Sequence, residues 1–596
     1  MARRYDKNFL STLFLLLLAF VWLYGCSQPV TRSESVISPP TDIVVPEKTP
    51  PQPVLPSASE PVIEEPLPVK KTQIEIRLND NLADLPVIQG TALLRGLPEL
   101  RSFYAGRNWQ PAWFDGDMTN DAVPTFLAVL GKAEEEGLSS RDYHDDEIKA
   151  LLNSLDSLHP DARIEAQADL DILLTDAYRA YAAHLYSGKI DPGRVSRQWP
   201  VQKSNKSKME EILEIPSSDQ MEKKLNSLSP VHLGYRQLRD LLARYRRIEA
   251  TGGWPVISGG KLAPGHRNAR VAMLKRRLFL SGELAAMPTR NRDLYDNLLV
   301  RAVRLFQRTH NLKEDGVVGP ATLRLLNMSV KDRIDQIRLN MERWRWMPRN
   351  MDRYILVNIP AFEMRVAEKG FVVLKMRTIV GMEDNPTPSF ADQLTQIEIN
   401  PYWNVPNSIV QKEIIPKVKK DPTYLATQGI RIYRDWQPDA PEILPEEIDW
   451  AELIPKKFRY RMVQDPGPLN PLGQIKFLFP NNYNVYMHDT PTRHLFQRQG
   501  RTFSHGCIRL EKPIDLAEYL LKNEPGWDRK QILKKINSGE HEVIILREPI
   551  PVHIVYFTVW TAANGLTYFR DDLYEYDRLL ETAILRNRGK TGGFLF

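Results

Sequence analysis

Two short stretches decide how this chain is read: Tyr486-Met487-His488-Asp489-Thr490 and, after a polar loop, Phe503-Ser504-His505-Gly506-Cys507-Ile508-Arg509-Leu510. Three of the eleven histidines (His488, His494 and His505) fall in this short window, where an even spread would place about a third of one. Cys507 follows them, and the only other cysteine is Cys26. Two cysteines exclude a disulfide framework and a Cys-rich zinc site. A cysteine without a partner but with histidines nearby is a candidate nucleophile, because the thiolate is reactive and an imidazole can take its proton. Gly506 permits close backbone approach, so N–H groups around 506–507 are candidates to face a developing oxyanion. Two plainer readings compete. One is a small buried hydrophobe at Cys507. The other is a zinc site from His488, His494, His505 and Cys507, whose spacing matches none of the short zinc patterns. Tyr486 lies two positions before His488, on the same strand face, whereas Asp489 points to the opposite face and is not read as a triad member.

Around these stretches the pattern is that of strands. Arg353–Ile359, Val372–Val380, Gln396–Asn400, Ile475–Phe479 and Asn484–Met487 are β-branched or alternating runs, and a last run follows at Ile554–Val559. Residues 407–471 interrupt them with a Pro-rich segment opening on a helix-like stretch, Ile409–Val418, which reads as an inserted lid-like subdomain. The expected boundaries are 353–547 for the β domain and 548–596 for a C-terminal extension.

Upstream the period is helical. Residues 71–250 read as a scaffold in which Asp169–Leu185 carries apolar residues three and four apart until Gly188 stops the helix. No chemistry is visible there. Residues 262–330 form a compact helical unit with helices at Ala272–Leu278 and Leu294–Thr309, the turn Asp315-Gly316-Val317-Val318-Gly319-Pro320 and a short helix at Ala321–Leu323.

At the N-terminus Arg3, Arg4 and Lys7 precede 17 uncharged residues, Phe9–Gly25, the export pattern. Cys26 stands at their end, so residues 1–26 are expected to be a signal peptide or membrane anchor. Residues 27–70 are a Pro-rich linker, with 11 prolines between Pro29 and Pro68, extending up to about 100 Å as polyproline II. The whole chain has 596 residues, a net charge of +6, 42% hydrophobic and 26% charged residues. Those values exclude wholesale disorder and a polytopic membrane protein, and give no argument for nucleic acid.

The string Ser504-His505-Gly506-Cys507-Ile508-Arg509-Leu510 after His488-Asp489-Thr490 resembles the active-site signature of the L,D-transpeptidases with a YkuD-type catalytic domain. Asn400-Pro401-Tyr402-Trp403-Asn404-Val405-Pro406 and Thr378-Ile379-Val380-Gly381 leading to Pro386-Thr387-Pro388 also match. The unit at 262–330 resembles a peptidoglycan-binding domain, and Leu23-Tyr24-Gly25-Cys26-Ser27 resembles a lipobox in which Tyr24 replaces the usual small residue. The resemblance implies an α+β architecture: a helical scaffold and a small helical binding domain, then a mostly β catalytic domain. It makes Cys507 the nucleophile and His488 its base. His505 and Gly506 would shape the loop and oxyanion hole, and Arg509, Tyr486, Trp403 and Ser504 would bind substrate. A structural role is also open for Arg509. It further implies 3→3 cross-linking of peptidoglycan stem peptides through a cysteinyl thioester, without metal or organic cofactor. Carbapenem-type β-lactams would be covalent inhibitors, at a membrane-tethered site on the periplasmic side of the envelope, with Cys26 a candidate for lipidation. The alternatives are L,D-carboxypeptidase activity, attachment of envelope proteins to peptidoglycan, a zinc-dependent wall peptidase and a non-catalytic wall-binding scaffold.

Overall fold

The computed structural model describes residues 69–79, 94, 96–195 and 206–587. The export segment, Cys26 and most of the Pro-rich linker lie outside them. No described helix is long and apolar enough to cross a membrane.

The scaffold is built on one long helix, Pro160–Ser187. Pro160 suits its first turn, where the N–H would have no partner, and Gly188 ends it at a φ of 90°, as the sequence predicts. Leu170, Leu174, Tyr178 and Tyr181 are buried by the surrounding helices Leu97–Gly106, Ala122–Leu130 and Ser218–Leu228. A small hairpin, β1 (Phe114–Asp115) and β2 (Met118–Thr119), lies beside it. The fully buried Asp171 is held by the Tyr104 hydroxyl (2.6 Å) and the Trp113 N–H (2.8 Å), so its polarity is spent internally.

The next unit has helices Ala269–Ser281, Asn297–Thr309 and Pro320–Leu326 around Leu274, Leu299, Val303 and Phe306. Asp296 caps the second helix by accepting from the Leu299 N–H at 2.9 Å. The Gln307 amide clasps the Asp315–Val317 turn, donating to the Val317 carbonyl (2.9 Å) and accepting from the Gly316 N–H (2.8 Å).

A helix at Val330–Arg345 then joins the parts. Its Glu342 accepts from the N–H of Ile190 (2.9 Å) at the end of the scaffold helix, and its Asn340 donates to the Thr558 hydroxyl (2.8 Å) near the C-terminus. Arg324 pairs with Asp571 at 2.9 Å, Arg570 donates to the Thr309 carbonyl at 2.6 Å, and Asn311 donates to the Gln499 carbonyl at 3.3 Å. The small helical unit is therefore bonded to both the C-terminal segment and the β domain.

The β domain contributes β3 (Arg353–Asn358), β4 (Glu363–Glu368), β5 (Phe371–Gly381), β6 (Phe390–Ile399) and β7 (Trp403–Asn404). After these come β8 (Ile430–Tyr433), β9 (Glu442–Ile443), β10 (Arg461–Gln464), β11 (Ile475–Leu478), β12 (Met487–His488), β13 (Thr502–Ser504), β14 (Ile508–Leu510) and β15 (Glu542–Val555). The main sheet runs β13-β5-β14-β12-β11-β6-β15-β3-β4, and β4 pairs again with β5, which closes eight of the strands into a ring. Ile355, Val357, Ile397, Ile475, Met487, Ile508 and Val552 fill its core. β15 pairs with both β6 and β3 through Val555, so the expected domain boundary at 547 falls inside a central strand and is corrected. Of the run Ile554–Val559, Ile554 and Val555 end β15, and Pro549 lies within the register shift of that strand between Ile545 and Ile550.

Residues 407–471 form their own small body. They supply β8, β9 and β10, which form a small sheet with β7 just ahead of them in the order β7-β10-β8-β9, and a core of Val410, Ile414, Ile415, Leu425, Ile432 and Met462. The opening helix contains one π turn at Val410–Ile414. Two further strands, β16 (Val559–Thr561) and β17 (Thr567–Phe569), and a helix at Tyr576–Asn587 complete the described chain. The architecture is the α+β arrangement expected from the sequence.

Candidate functional site

β12 and β14 are parallel neighbours with Met487 opposite Ile508 and His488 opposite Arg509. Met487, Ile508 and Leu510 are buried in the core, so their alternates Tyr486, His488 and Arg509 share the opposite face, and Cys507 precedes β14 on that side. On the other side of β12, Lys476 of β11 stands opposite His488, and Glu398 of β6 stands opposite Lys476. One polar row, Glu398–Lys476–His488–Arg509, thus crosses four strands.

Cys507 is half-buried. Its Sγ lies 3.8 Å from the Asn484 carbonyl, and the Tyr486 hydroxyl and backbone N–H are directed at it. Burial pushes the thiol up, and hydrogen bonds from Tyr486 with the charges of Lys476 and Arg509 oppose that. Tyr486 also meets the Trp403 indole N–H, which links β7, the strand that pairs with β10 of the insertion, to the thiol. The Tyr486 and His488 rings are 5.6 Å apart.

His488 is buried, and its Nδ1 lies 2.5 Å from the Asp489 carbonyl. A carbonyl can only accept, so the ring donates its Nδ1 proton to Asp489, and the Leu472 carbonyl is a second backbone acceptor facing the ring. Burial and the nearby Arg509 push the imidazole down to about 3, so it is neutral at ordinary pH and, in this resting arrangement, only weakly basic. Asp489 does not face the ring with its carboxylate. That group accepts from the Gln474 N–H (3.0 Å) and Arg493 (2.7 Å), fixing the backbone whose carbonyl orients the imidazole. Among the described contacts none joins Cys507 directly to His488.

The loop between the two histidines and the thiol is held from below. Thr387, fully buried, donates its hydroxyl to the Gly506 carbonyl (2.7 Å) and accepts from the Gly381 N–H (2.9 Å). A side chain at Gly381 would come within 2.1 Å of the Asn385 carbonyl, and Gly506 takes a φ of 114°, which favours glycine. Ser504 was expected to bind substrate. It is buried, donating to the Cys507 carbonyl (2.5 Å) and accepting from the Gly506 N–H (3.2 Å), so it closes the turn instead. Gly506 therefore does not offer its N–H to an oxyanion. The Cys507 N–H has no hydrogen-bond partner among the described residues. His505 turns away from the thiol and its Nε2 pairs with Glu413 at 2.9 Å, on the π turn of the insertion. Arg509 donates to the Thr492 hydroxyl at 3.3 Å, and its buried Nε has no partner among the described residues.

The histidines therefore separate: His488 binds backbone and His505 binds Glu413. Among the described residues no group of three or more His, Cys, Asp or Glu side chains is arranged to hold a metal. Sequence reasoning assigned no role to Lys476, Thr387 or Glu413. Only Thr387 left a trace, inside the Pro386-Thr387-Pro388 string.

Residues 352–540 match the L,D-transpeptidase catalytic domain family, YkuD, residues 267–326 match a peptidoglycan-binding domain family, and residues 98–242 match a scaffold domain family. The chain is 36% identical over 248 residues to a Haemophilus influenzae protein named as an L,D-transpeptidase, a match covering 42% of this chain and 49% of that protein. The chain thus spans about half the length of that relative. An L,D-transpeptidase structure from Mycobacterium smegmatis aligns at 13% identity over 34% of this chain and 58% of that one, with a TM-score of 0.17. One from Xylanimonas cellulosilytica aligns at 14% identity over 50% of this chain and 98% of that one, with a TM-score of 0.15.

Proposed function

We propose that this chain, which carries an L,D-transpeptidase catalytic domain beside a peptidoglycan-binding domain, is a cysteine-dependent acyltransferase that forms 3→3 cross-links between peptidoglycan stem peptides. The observation that carries the reading is the β12–β14 register, which sets Tyr486, His488, Cys507 and Arg509 on one sheet face. In the first step the Cys507 thiol leaves the Asn484 carbonyl and gives its proton to His488 Nε2. The sulfur attacks the carbonyl carbon of the L,D peptide bond before the terminal D-Ala. Negative charge on that oxygen is met by the Cys507 N–H. The C–N bond breaks, the proton on Nε2 passes to the departing D-Ala amine, and a thioester remains. In the second step the side-chain amine of diaminopimelate on a neighbouring stem attacks the thioester, its proton returns through His488, and the thiol is released. Tyr486 and Trp403 wall the cleft, and Arg509 meets a substrate carboxylate. Carbapenem-type β-lactams acylate the same sulfur. The site serves the cell envelope, and the N-terminal segment tethers the enzyme to the membrane on the periplasmic side, through an anchor or through lipid on Cys26.

The test is incubation of the full chain with purified tetrapeptide muropeptides, followed by mass spectrometry of the products. Released D-Ala with a 3→3 dimer supports the reading. Tripeptide alone makes the enzyme an L,D-carboxypeptidase, with water as the acceptor. Dimer formation by Cys507→Ala would sink the thioester mechanism.

A further inference from the structure

The polar row on the sheet face contains a cation that the mechanism above does not use. Lys476 stands opposite His488 on β11, and its side chain is only 14% exposed. Its Nζ is 3.3 Å from a carboxylate oxygen of Glu398, which is itself 13% exposed and oriented by Gln396 at 3.3 Å. The same Nζ is 4.8 Å from the centroid of the Tyr486 ring. Tyr486 in turn directs its hydroxyl at the Cys507 sulfur. The path from buried cation to nucleophile is therefore Lys476, aromatic ring, hydroxyl, thiol. A cation against an aromatic ring draws electron density from it and makes a phenolic O–H a stronger donor.

We propose that Lys476 is a positioning residue that stabilises the Cys507 thiolate through Tyr486, with Glu398 setting how much of its charge reaches the site. The need for such a charge follows from the rest of the cleft. His488 is held neutral by burial, so the resting site has no imidazolium beside the sulfur. Arg509, on the thiol's own strand, is the other cation facing it. The charged and titratable groups around Lys476 are Glu398 on β6, Tyr486 just before β12, His488 on β12, Cys507 just before β14 and Arg509 on β14. Burying an ammonium with a carboxylate is expensive unless both are bonded. A purely structural pair would be replaceable by apolar residues, whereas this one has its cation turned to the ring that holds the nucleophile.

The proposal rests on Cys507 as the nucleophile, and its test does not depend on which acceptor the enzyme uses. The rate of Cys507 alkylation by iodoacetamide is followed against pH in the full chain, with the modified peptide identified by mass spectrometry. Lys476→Met is expected to raise the midpoint by about one pH unit, a tenfold loss of thiolate at pH 7. Glu398→Gln, which uncovers the Lys476 charge, is expected to lower it. Lys476→Arg should keep the wild-type midpoint to within about a third of a unit. In a Tyr486→Phe background, Lys476→Met should shift the midpoint by less than in the wild type, because only the direct charge of Lys476 on the sulfur is then lost. Opposite shifts from the two halves of one ion pair are a signature that loss of packing does not produce. Shifts of the same sign, or an unchanged midpoint in Lys476→Met that still melts cooperatively, would overturn the proposal. Should Lys476→Met fail to fold, the Glu398→Gln midpoint decides alone: no downward shift rejects the role. A wild-type chain whose Cys507 is not alkylated at all would instead reject the nucleophile assignment.

Discussion

Thr387→Val is the substitution in which the structure commits itself most. Valine has nearly the shape of threonine, so packing is preserved and only the hydroxyl is lost. That hydroxyl is the partner of both the Gly506 carbonyl and the Gly381 N–H, at 2.7 and 2.9 Å. Thr387 has no exposed surface, so water does not replace it. Two buried backbone groups are left unpaired at roughly 1–3 kcal/mol each, and the added methyl returns a little, for a net loss of about 2–4 kcal/mol. In a domain of this size each kcal/mol lowers the melting temperature by about 2–4 °C, giving a fall of roughly 5–15 °C. The functional effect is separable. With its carbonyl released, the Gly506 peptide rotates and carries the Cys507 N–H away from the position of the oxyanion, and losing such a donor costs about 100-fold or more in rate. Acylation of Cys507 by a carbapenem, followed by mass shift, should slow at least about tenfold, since the donor is displaced rather than removed. Alkylation by iodoacetamide, which makes no oxyanion, should change little. Thr387→Ser should restore most of both. A Thr387→Val protein that melts within about 2 °C of wild type and acylates at the wild-type rate would refute the assignment.

Gly381→Ala places a methyl 2.1 Å from the Asn385 carbonyl, backbone against backbone, and should destabilise by about 3 kcal/mol or more, read as lost melting temperature or soluble yield. Glu413→Gln alters the Glu413–His505 contact, whose side chains are 41% and 38% exposed. Its stability effect should stay under about 1 kcal/mol, while amide exchange across 407–420 should quicken; unchanged exchange would deny the pair any role in holding the insertion. Burial pushes His488 down to about 3 and His553 down to about 4, against about 6.5 in the unfolded chain. Below pH 6.5 the unfolded chain binds protons that the folded one refuses. The stability they contribute is therefore complete above that pH and declines as pH falls, by up to about 1.4 kcal/mol per unit for each. The melting temperature should drop steeply from pH 6.5 to 4, and His553→Gln should flatten the slope.

The signal for the candidate nucleophile is local in sequence: Cys507, just before β14, and His488, on the neighbouring β12, are 19 positions apart, and the motif around them is visible. The helix at Pro160–Ser187 was equally legible, because apolar spacing and a terminal glycine both marked it. What escaped were pairings between distant segments. β4 (Glu363–Glu368) reads as Glu-Met-Arg-Val-Ala-Glu, too charged to signal a strand, yet it closes the ring by pairing with β3 and β5. Lys476 looks like any surface lysine until the sheet register sets it opposite His488. Ser504 was misjudged for the same reason, since proximity in sequence to a nucleophile does not say which way a hydroxyl turns. A hydroxyl two or three residues from a tight turn often closes it.

The bonds from Arg324 to Asp571, from Arg570 to the Thr309 carbonyl and from Asn311 to the Gln499 carbonyl bear on scale rather than chemistry. They fasten the small helical unit to the body that holds Cys507. An enzyme that grips a polymer at one point and reacts with it at another, with no slack between the two, measures the polymer. Under the proposed function, stems at the matching spacing along or across the glycan would meet the thiol, and others would be passed over however well their peptides fit the cleft. Under the proposed function, the pattern of cross-links would then be set by the span between two domains, and lengthening that span would change where the links fall without touching the rate at which any one of them forms.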